Sequence, residues 1–290
     1  MSDRPPRWLP DKSWYQDARR APSFETNAKR GMRTIGVLQE YVLPFHDRSQ
    51  PLRILEVGPG LDATWIRCPY EPYAIAALLE RNGVPYEMAI VDKDAEVIAD
   101  IQNRRQLCFL QRRAYSNGEK EGWNRYLSLT NQNTSLVHEH FPNIIFQYWV
   151  NPSEIEDQLD RGVKVANIPL SFQNGLRDGG IVLLNGDIAI APIADLPVAP
   201  YDFINALFVF SYLSVEGQQL ALYNLAQSMR VGANLFIDNF KITFPRMTSM
   251  CINKWGSGWA TEKEFNDLGL NLVKRDVVSE VYEVLLLKKG

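Results

Sequence analysis

Four carboxylates and two glycines, spaced around two apolar runs, carry the chemistry of this chain. Arg53-Ile54-Leu55-Glu56-Val57-Gly58-Pro59-Gly60-Leu61-Asp62-Ala63 ends an apolar run in an acid, and two glycines then stand two apart. Roughly 30 residues on, about the length of a βαβ unit, Ala89-Ile90-Val91-Asp92-Lys93-Asp94 ends a second apolar run in acid. Runs of this kind read as buried parallel strands. Gly58 and Gly60 let the backbone come close to a ligand, and the Asp92 carboxylate can accept from both hydroxyls of a ribose. The pattern predicts a nucleoside-containing cofactor.

Gly58-Pro59-Gly60-Leu61-Asp62-Ala63 also satisfies the G-x-G-x-x-A form of the dinucleotide fingerprint, so an NAD(P)-binding oxidoreductase is one reading. Two features weigh against it. The acid expected about 20 residues downstream in that fingerprint arrives later, at Asp92. Glu56 and Asp62 place negative charge on either side of the turn, where a pyrophosphate would be repelled. A cationic sulfonium with an amino-acid tail tolerates that charge, which makes S-adenosylmethionine the expected cofactor.

Methyl transfer from a sulfonium is an in-line displacement that needs a nucleophile held roughly 3–3.5 Å from the methyl carbon. A base is required only where the acceptor starts protonated. Glu56, Gly58 and Gly60 would wall the methionine portion. Asp187, in Gly186-Asp187-Ile188 after an apolar run, fits the acid that accepts from the adenine amino group, with Asp195 its rival. Asp94 reads as a helix cap and Asp202 as structural. Phe208, Phe210, Ser211 and Tyr212 follow the strand holding Ala206 and would lie over the methyl group, where an aromatic face suits a cation. Tyr212 can orient an acceptor or relay its proton, while Phe208 and Phe210 can equally be core. His138-Glu139-His140 offers His138 or His140 as an acceptor's base. A metal is not expected there, since two histidines at i, i+2 share a face only on a strand. Trp123, Phe146, Tyr148 and Trp149 can line an acceptor pocket or form a satellite core.

The elements that must position these residues begin after a leading segment. With 290 residues, 46% of them hydrophobic, the chain supports one large domain with an appendage. Residues 1–50 form an N-terminal helical segment or flap, basic at its start, with Trp8, Trp14 and Tyr15 as aromatic anchors and a helix predicted from Glu25 through Val42. Residues 51–290 form the main domain. Pro72 suits a first helical turn that Gly83 ends. Residues 112–178 break the alternation with a polar, aromatic mixture and read as an insertion over the strand ends. Alternation resumes at Ile181. A helix from about Val215 to Met229 is closed by Gly232, and Asn234–Asp238 is a strand. Thr261-Glu262-Lys263-Glu264 makes a capping box. Strands near Asn271–Val278 and Val281–Lys288 are joined too tightly for a crossover and must be antiparallel. The predicted fold is α/β: a Rossmann-like, mostly parallel seven-stranded sheet ending in an antiparallel hairpin.

The net charge of -3 and pI near 5.7 give no overall field for nucleic acid. Cys68, Cys108 and Cys251 form no ligand pair or disulfide framework. No apolar run reaches membrane-spanning length, and the opening residues lack a signal-peptide core. A cytoplasmic protein without nucleic-acid or membrane partners is expected, and a homodimer is a candidate assembly.

The E-x-G-x-G of Glu56, Gly58 and Gly60 resembles the first motif of class I S-adenosylmethionine-dependent methyltransferases, as does the terminal hairpin. Glu71-Pro72-Tyr73-Ala74-Ile75-Ala76 and Asp92-Lys93-Asp94-Ala95-Glu96-Val97 are similar to the cofactor motifs of chemotaxis-receptor glutamate methyltransferases. So are Tyr201-Asp202-Phe203-Ile204 through Phe210-Ser211-Tyr212-Leu213 and Gln218-Gln219-Leu220. The likeness spans roughly 53–105 and 195–240. It implies that Glu71 reaches the donor's ammonium or ribose. The chain departs where that family has an Arg-Asn pair, here Leu207 and Phe208, and its leading segment is short. The expected activity is methyl transfer to an O or N of a small molecule. The alternatives are a protein or peptide acceptor, or a non-catalytic donor-binding protein.

Overall fold

The apolar run before Gly58 forms β1 (Leu52–Val57) and the run before Lys93 forms β2 (Tyr86–Asp92). They pair in parallel register from Leu52↔Tyr86 to Val57↔Val91. The chain is seen in a computed structural model that describes residues 33–59, 71–104, 106–110, 125–130, 135–137, 163–207, 209–210, 213, 215–240, 262–279 and 282–290.

Strands β6 (Ile181–Asn185) and β7 (Tyr201–Ala206) flank this pair, and β8 (Met229–Phe240), β9 (Leu270–Ser279) and β10 (Tyr282–Lys289) complete a seven-stranded sheet of order β6-β2-β1-β7-β8-β10-β9. Pairs β2–β6, β1–β2, β1–β7 and β7–β8 are parallel. β10 runs antiparallel to both β8 and β9, which is the terminal hairpin expected from the tight connection. The sheet is thus mostly parallel, seven-stranded and closed by an antiparallel hairpin, as the alternation of the sequence predicts.

Alternation along each strand separates two cores. Ile54, Ile90, Phe203 and Phe236 pack on one face with the leading helix α1 (residues 33–42), α2 (Glu71–Arg81), α3 (Ala95–Asn103) and Phe172 of α5 (Leu170–Asp178). Leu55, Val91, Ile204 and Ile237 pack on the other with α6 (Val215–Ser228) and Phe265 of α7 (Glu262–Asp267). The leading helix is α-helical through residue 37 and π-wound over Leu38–Val42, closed by Leu43 N donating to Leu38 O at 2.8 Å.

Local chemistry sets these boundaries. Gly83, at φ +61°, ends α2 in the left-handed region that favours glycine. Asp94 caps α3 by accepting from Glu96 N at 3.0 Å. Arg104 then grips Asp100 through two hydrogen bonds of 2.7 and 2.6 Å, both side chains buried. Burial pushes the Asp100 carboxyl up, against the pull of that guanidinium.

Two boundaries differ from the sequence reading. The 112–178 stretch is not uniformly irregular. Its last part is α5, a regular crossover helix leading into β6, whose Gly175 lies so close to that strand that a Cβ would meet Ile181 Cγ1 at 2.8 Å. Between α3 and α5 lies a separate antiparallel sheet of order β3-β5-β4, made of β3 (Gln106–Leu110), β4 (Ser135–Val137) and β5 (Val163–Asn167), with helix α4 at residues 125–130. Gly232 does not close α6. That helix ends at Ser228, the chain passes straight into β8, and Gly232, at φ +83°, sits inside the strand. The register explains why. Tyr201 faces Met229 but Phe203 faces Asn234, so β8 carries extra residues across this interval and bulges there.

Candidate active site

β1 is the pivot of the main sheet. The chain leaves it toward β2 and β6 on one side and returns as β7 on the other. The helix after β1 packs on one face and the helix after β7 on the opposite face. Connections diverging this way open a crevice beyond the carboxyl ends of the two strands. This is the topological switch point of the sheet, the place where open α/β sheets bind ligands.

The described candidate residues other than Glu71 and Asp195 lie on strand ends or in the turns that follow them. Gly58 follows β1 at φ +57°, its N–H donating to Val91 O at 2.7 Å. A Cβ there would lie 2.8 Å from Val209 Cγ2, in the segment after β7, so that segment and the glycine turn touch. Asp92 closes β2. Its Oδ1 accepts from Asp94 N at 2.8 Å, which fixes the carboxylate at the strand end, and it is 6% exposed. Asn185, at the end of β6, donates to the carbonyls of Asp92 and Lys93 at 3.0 and 3.1 Å and ties this rim together. Asp187 stands just beyond. One of its oxygens accepts from Ala189 N at 3.0 Å and the other meets Lys93 Nζ at 2.7 Å. Asp195, its rival, falls in the short 3₁₀ turn Ile193–Asp195 and is exposed.

Glu56 and Glu71 come together through residues that sequence reasoning missed. Glu56 and Asn205 are directly opposite on β1 and β7, and Asn205 Nδ2 donates to Glu56 Oε2 at 2.8 Å. Thr34, from the leading helix, donates to Glu71 Oε1 at the start of α2, and its Oγ1 lies 3.4 Å from Asn205 Oδ1. All four side chains are at most 3% exposed. Two carboxylates, an amide and a hydroxyl thus form one buried polar chain behind the glycine turn. The signal was present. Asn205 interrupts the apolar Phe203-Ile204-Ala206-Leu207 run, and Thr34 stands four residues before Leu38 on a helix face that is otherwise apolar. Gln218 of α6, also buried, donates to the carbonyls of Phe210 and Leu213 at 2.7 and 3.2 Å and so braces the turn after β7.

Asp202 sits at the opposite end of β7 from the crevice. It accepts from Arg53 N at 2.9 Å and pairs with Arg230 at 3.0 Å, in keeping with a structural role. Gly60, Phe208, Tyr212, His138, His140, Tyr148, Trp149, Trp8, Trp14 and Tyr15 lie outside the described residues, as does Thr261 of the capping box. Among the described residues no group of three or more His, Cys, Asp or Glu could hold a metal ion, and no helix is long and apolar enough to cross a membrane.

No protein-family model matches the chain, and no curated protein does. Among solved structures it is similar to an O-methyltransferase family protein from Burkholderia thailandensis, at 11% identity and a TM-score of 0.47, with 100% of this chain and 65% of that chain covered. It is similar to magnesium protoporphyrin IX methyltransferase from Synechocystis PCC 6803, solved with bound SAH, at 10% identity and a TM-score of 0.44, over 98% and 96% of the two chains. It is also similar to an N-methyltransferase from Bradyrhizobium japonicum in complex with S-adenosyl-L-homocysteine, at 12% identity and a TM-score of 0.41, over 96% and 98%. Similarity at this level assigns no activity to the chain.

Proposed function

We propose that this protein is an S-adenosylmethionine-dependent methyltransferase acting on an O or N of a small-molecule acceptor. The observation that carries this reading is the pair of buried carboxylates, Glu56 and Glu71, joined through Asn205 and Thr34 directly behind the turn at Gly58. A dinucleotide fold aims its glycine turn at a pyrophosphate, and two acids there would repel one. The same acids suit a ligand that is a sulfonium cation with an ammonium on its tail.

The residues present fit that cofactor. Gly58 lets the turn after β1 lie against Val209, where any side chain would collide, Asp92 offers a carboxylate to a ribose, and Asp187 stands beyond the end of β6, on the side proposed for the adenine. When bound, the cofactor supplies an activated methyl group. The chain's part is to hold the donor by Glu56, Glu71 and Asp92, to exclude water, and to present an acceptor atom in line. In this reading Phe208 faces the donor's sulfonium, Tyr212 orients the acceptor or relays its proton, and His138 or His140 serves as base where the acceptor starts protonated. Trp8, Trp14, Tyr15, Tyr148 and Trp149 line the acceptor pocket.

The finer resemblance to chemotaxis-receptor methyltransferases concerns donor residues only. Its Arg-Asn pair is replaced by Leu207 and Phe208, so the acceptor we infer is not a receptor glutamate. Incubating the protein with radiolabelled donor and separated cell-extract fractions tests this. Label in the small-molecule fraction supports the proposal. Efficient label on receptor fragments or other polypeptides would replace it with a protein-directed activity. Bound donor that never turns over would leave a sensor or scaffold.

A further inference from the structure

We propose that Thr34 is a positioning residue for the donor's amino-acid tail, acting through Glu71 and Asn205; this rests on the methyl-donor reading above. Thr34 lies on the buried face of the leading helix with Ile35, Leu38 and Val42, and it is the polar member of that face. Its one proton goes to Glu71, 37 positions away, and its Oγ1 stands 3.4 Å from Asn205 Oδ1, 171 positions away, so the hydroxyl brings three distant segments of the chain together.

The chemistry of the four groups explains why that hydroxyl matters. A glutamate side chain turns about three torsions, and burial alone does not choose among its rotamers. Threonine is β-branched and has only two favoured χ1 rotamers on a helix, and the side chain is fully buried on a helix packed against the core. The hydrogen bond to Glu71 marks the rotamer it keeps, and from there Glu71 is aimed. Asn205 does the same for Glu56, through the 2.8 Å hydrogen bond from its amide nitrogen. A buried polar chain carries a desolvation cost that apolar packing would avoid, since valine would fill the place of Thr34 at nearly the same volume. The arrangement has a purpose if the two carboxylates must stand in one orientation to receive a cation. The ammonium of an amino-acid tail is such a cation. The nucleoside end of the ligand belongs instead to Asp92 and Asp187, whose carboxylates are held at the ends of β2 and β6 by Asp94 N, Ala189 N and Lys93.

This division yields a readout that a purely structural role would not move. Calorimetry on the full chain would compare S-adenosylhomocysteine, which has the tail, with 5′-methylthioadenosine, which lacks it. In Thr34→Val the affinity for S-adenosylhomocysteine should fall by about tenfold or more while that for methylthioadenosine stays within about twofold, as expected when only a charged-group contact is lost. Thr34→Ser, which keeps the hydroxyl, should restore most of the tail's contribution. Glu71→Gln provides a second route to the same selective loss if the valine variant folds poorly. Equal losses for both ligands, no loss for either, or a serine variant that fails to rescue would each overturn the proposal. Wild-type protein that binds neither ligand would remove the methyl-donor reading along with it. Wild-type protein that binds both, with the ratio unchanged in Thr34→Val, would remove the role of Thr34 alone.

Discussion

At the scale of single residues, the proposed site separates groups assigned to a ligand from groups that hold the sheet. Asp92 is buried at a strand end with its carboxylate fixed by Asp94 N. Replacing it with alanine should weaken donor binding by about 1–3 kcal/mol, the range for hydrogen bonds to a charged group. Unchanged affinity in a calorimetric titration would mean that the ribose lies elsewhere. Asp202 makes the opposite case. Its partners are Arg53 N and the Arg230 guanidinium, at the far end of β7. Asp202→Ala should cost about 1–2 kcal/mol in urea unfolding, chiefly by orphaning Arg53 N, with donor affinity unaltered. Gly58 belongs to both groups. An alanine there must hold φ +57° and press on Val209. Gly58→Ala should therefore lose about 1–3 kcal/mol of stability and weaken the donor as well. Wild-type behaviour in both measurements would show that the turn is not where the ligand sits.

At the scale of elements, most of the fold could be read from period and punctuation. Continuous apolar runs ending in acid gave β1 and β2, Gly83 and Asp94 marked helix ends, and the short link after Ser279 required an antiparallel pair. The misreadings have one cause, which is that a local signal does not say which element will use it. Gly232 has the residue type of a helix stop, yet its left-handed backbone serves a bulge in β8. The helix Leu170–Asp178 escaped notice because it begins without a capping side chain, at Pro169, and contains a glycine. That glycine answers a tertiary demand, close approach to Ile181, which no window of sequence displays. Glu56, Gly58 and Asp92 were legible because their chemistry is local to a strand end. Thr34 and Asn205 were not, because their meaning depends on each other across 171 positions. The leading segment supplies the element-scale prediction. Deleting residues 1–20 should leave donor affinity within about a factor of ten while removing most methyl transfer, the split expected when acceptor positioning alone is lost. A truncated protein with retained turnover would end the idea of an aromatic flap. Parallel losses of melting temperature and donor affinity would assign those residues to structure instead.

At the scale of the whole molecule, the proposed function puts donor binding on the sheet and acceptor binding on its additions. Strand ends and adjoining turns bring Glu56, Gly58, Asp92 and Asp187 to the rim, and the leading helix and the start of α2 close it from one face with Thr34 and Glu71. The small antiparallel sheet of β3, β5 and β4 is inserted in the crossover between β2 and β6, the two strands whose ends carry Asp92 and Asn185. In the proposed function this rim suits a cationic sulfonium and disfavours a dinucleotide. Calorimetric titration of the intact protein with S-adenosylmethionine and its demethylated product, beside NAD and NADP, tests it most directly. Saturable binding of the sulfonium and of its product, with no heat from either nicotinamide, is the expected result. Tight nicotinamide binding with no response to the sulfonium would contradict it.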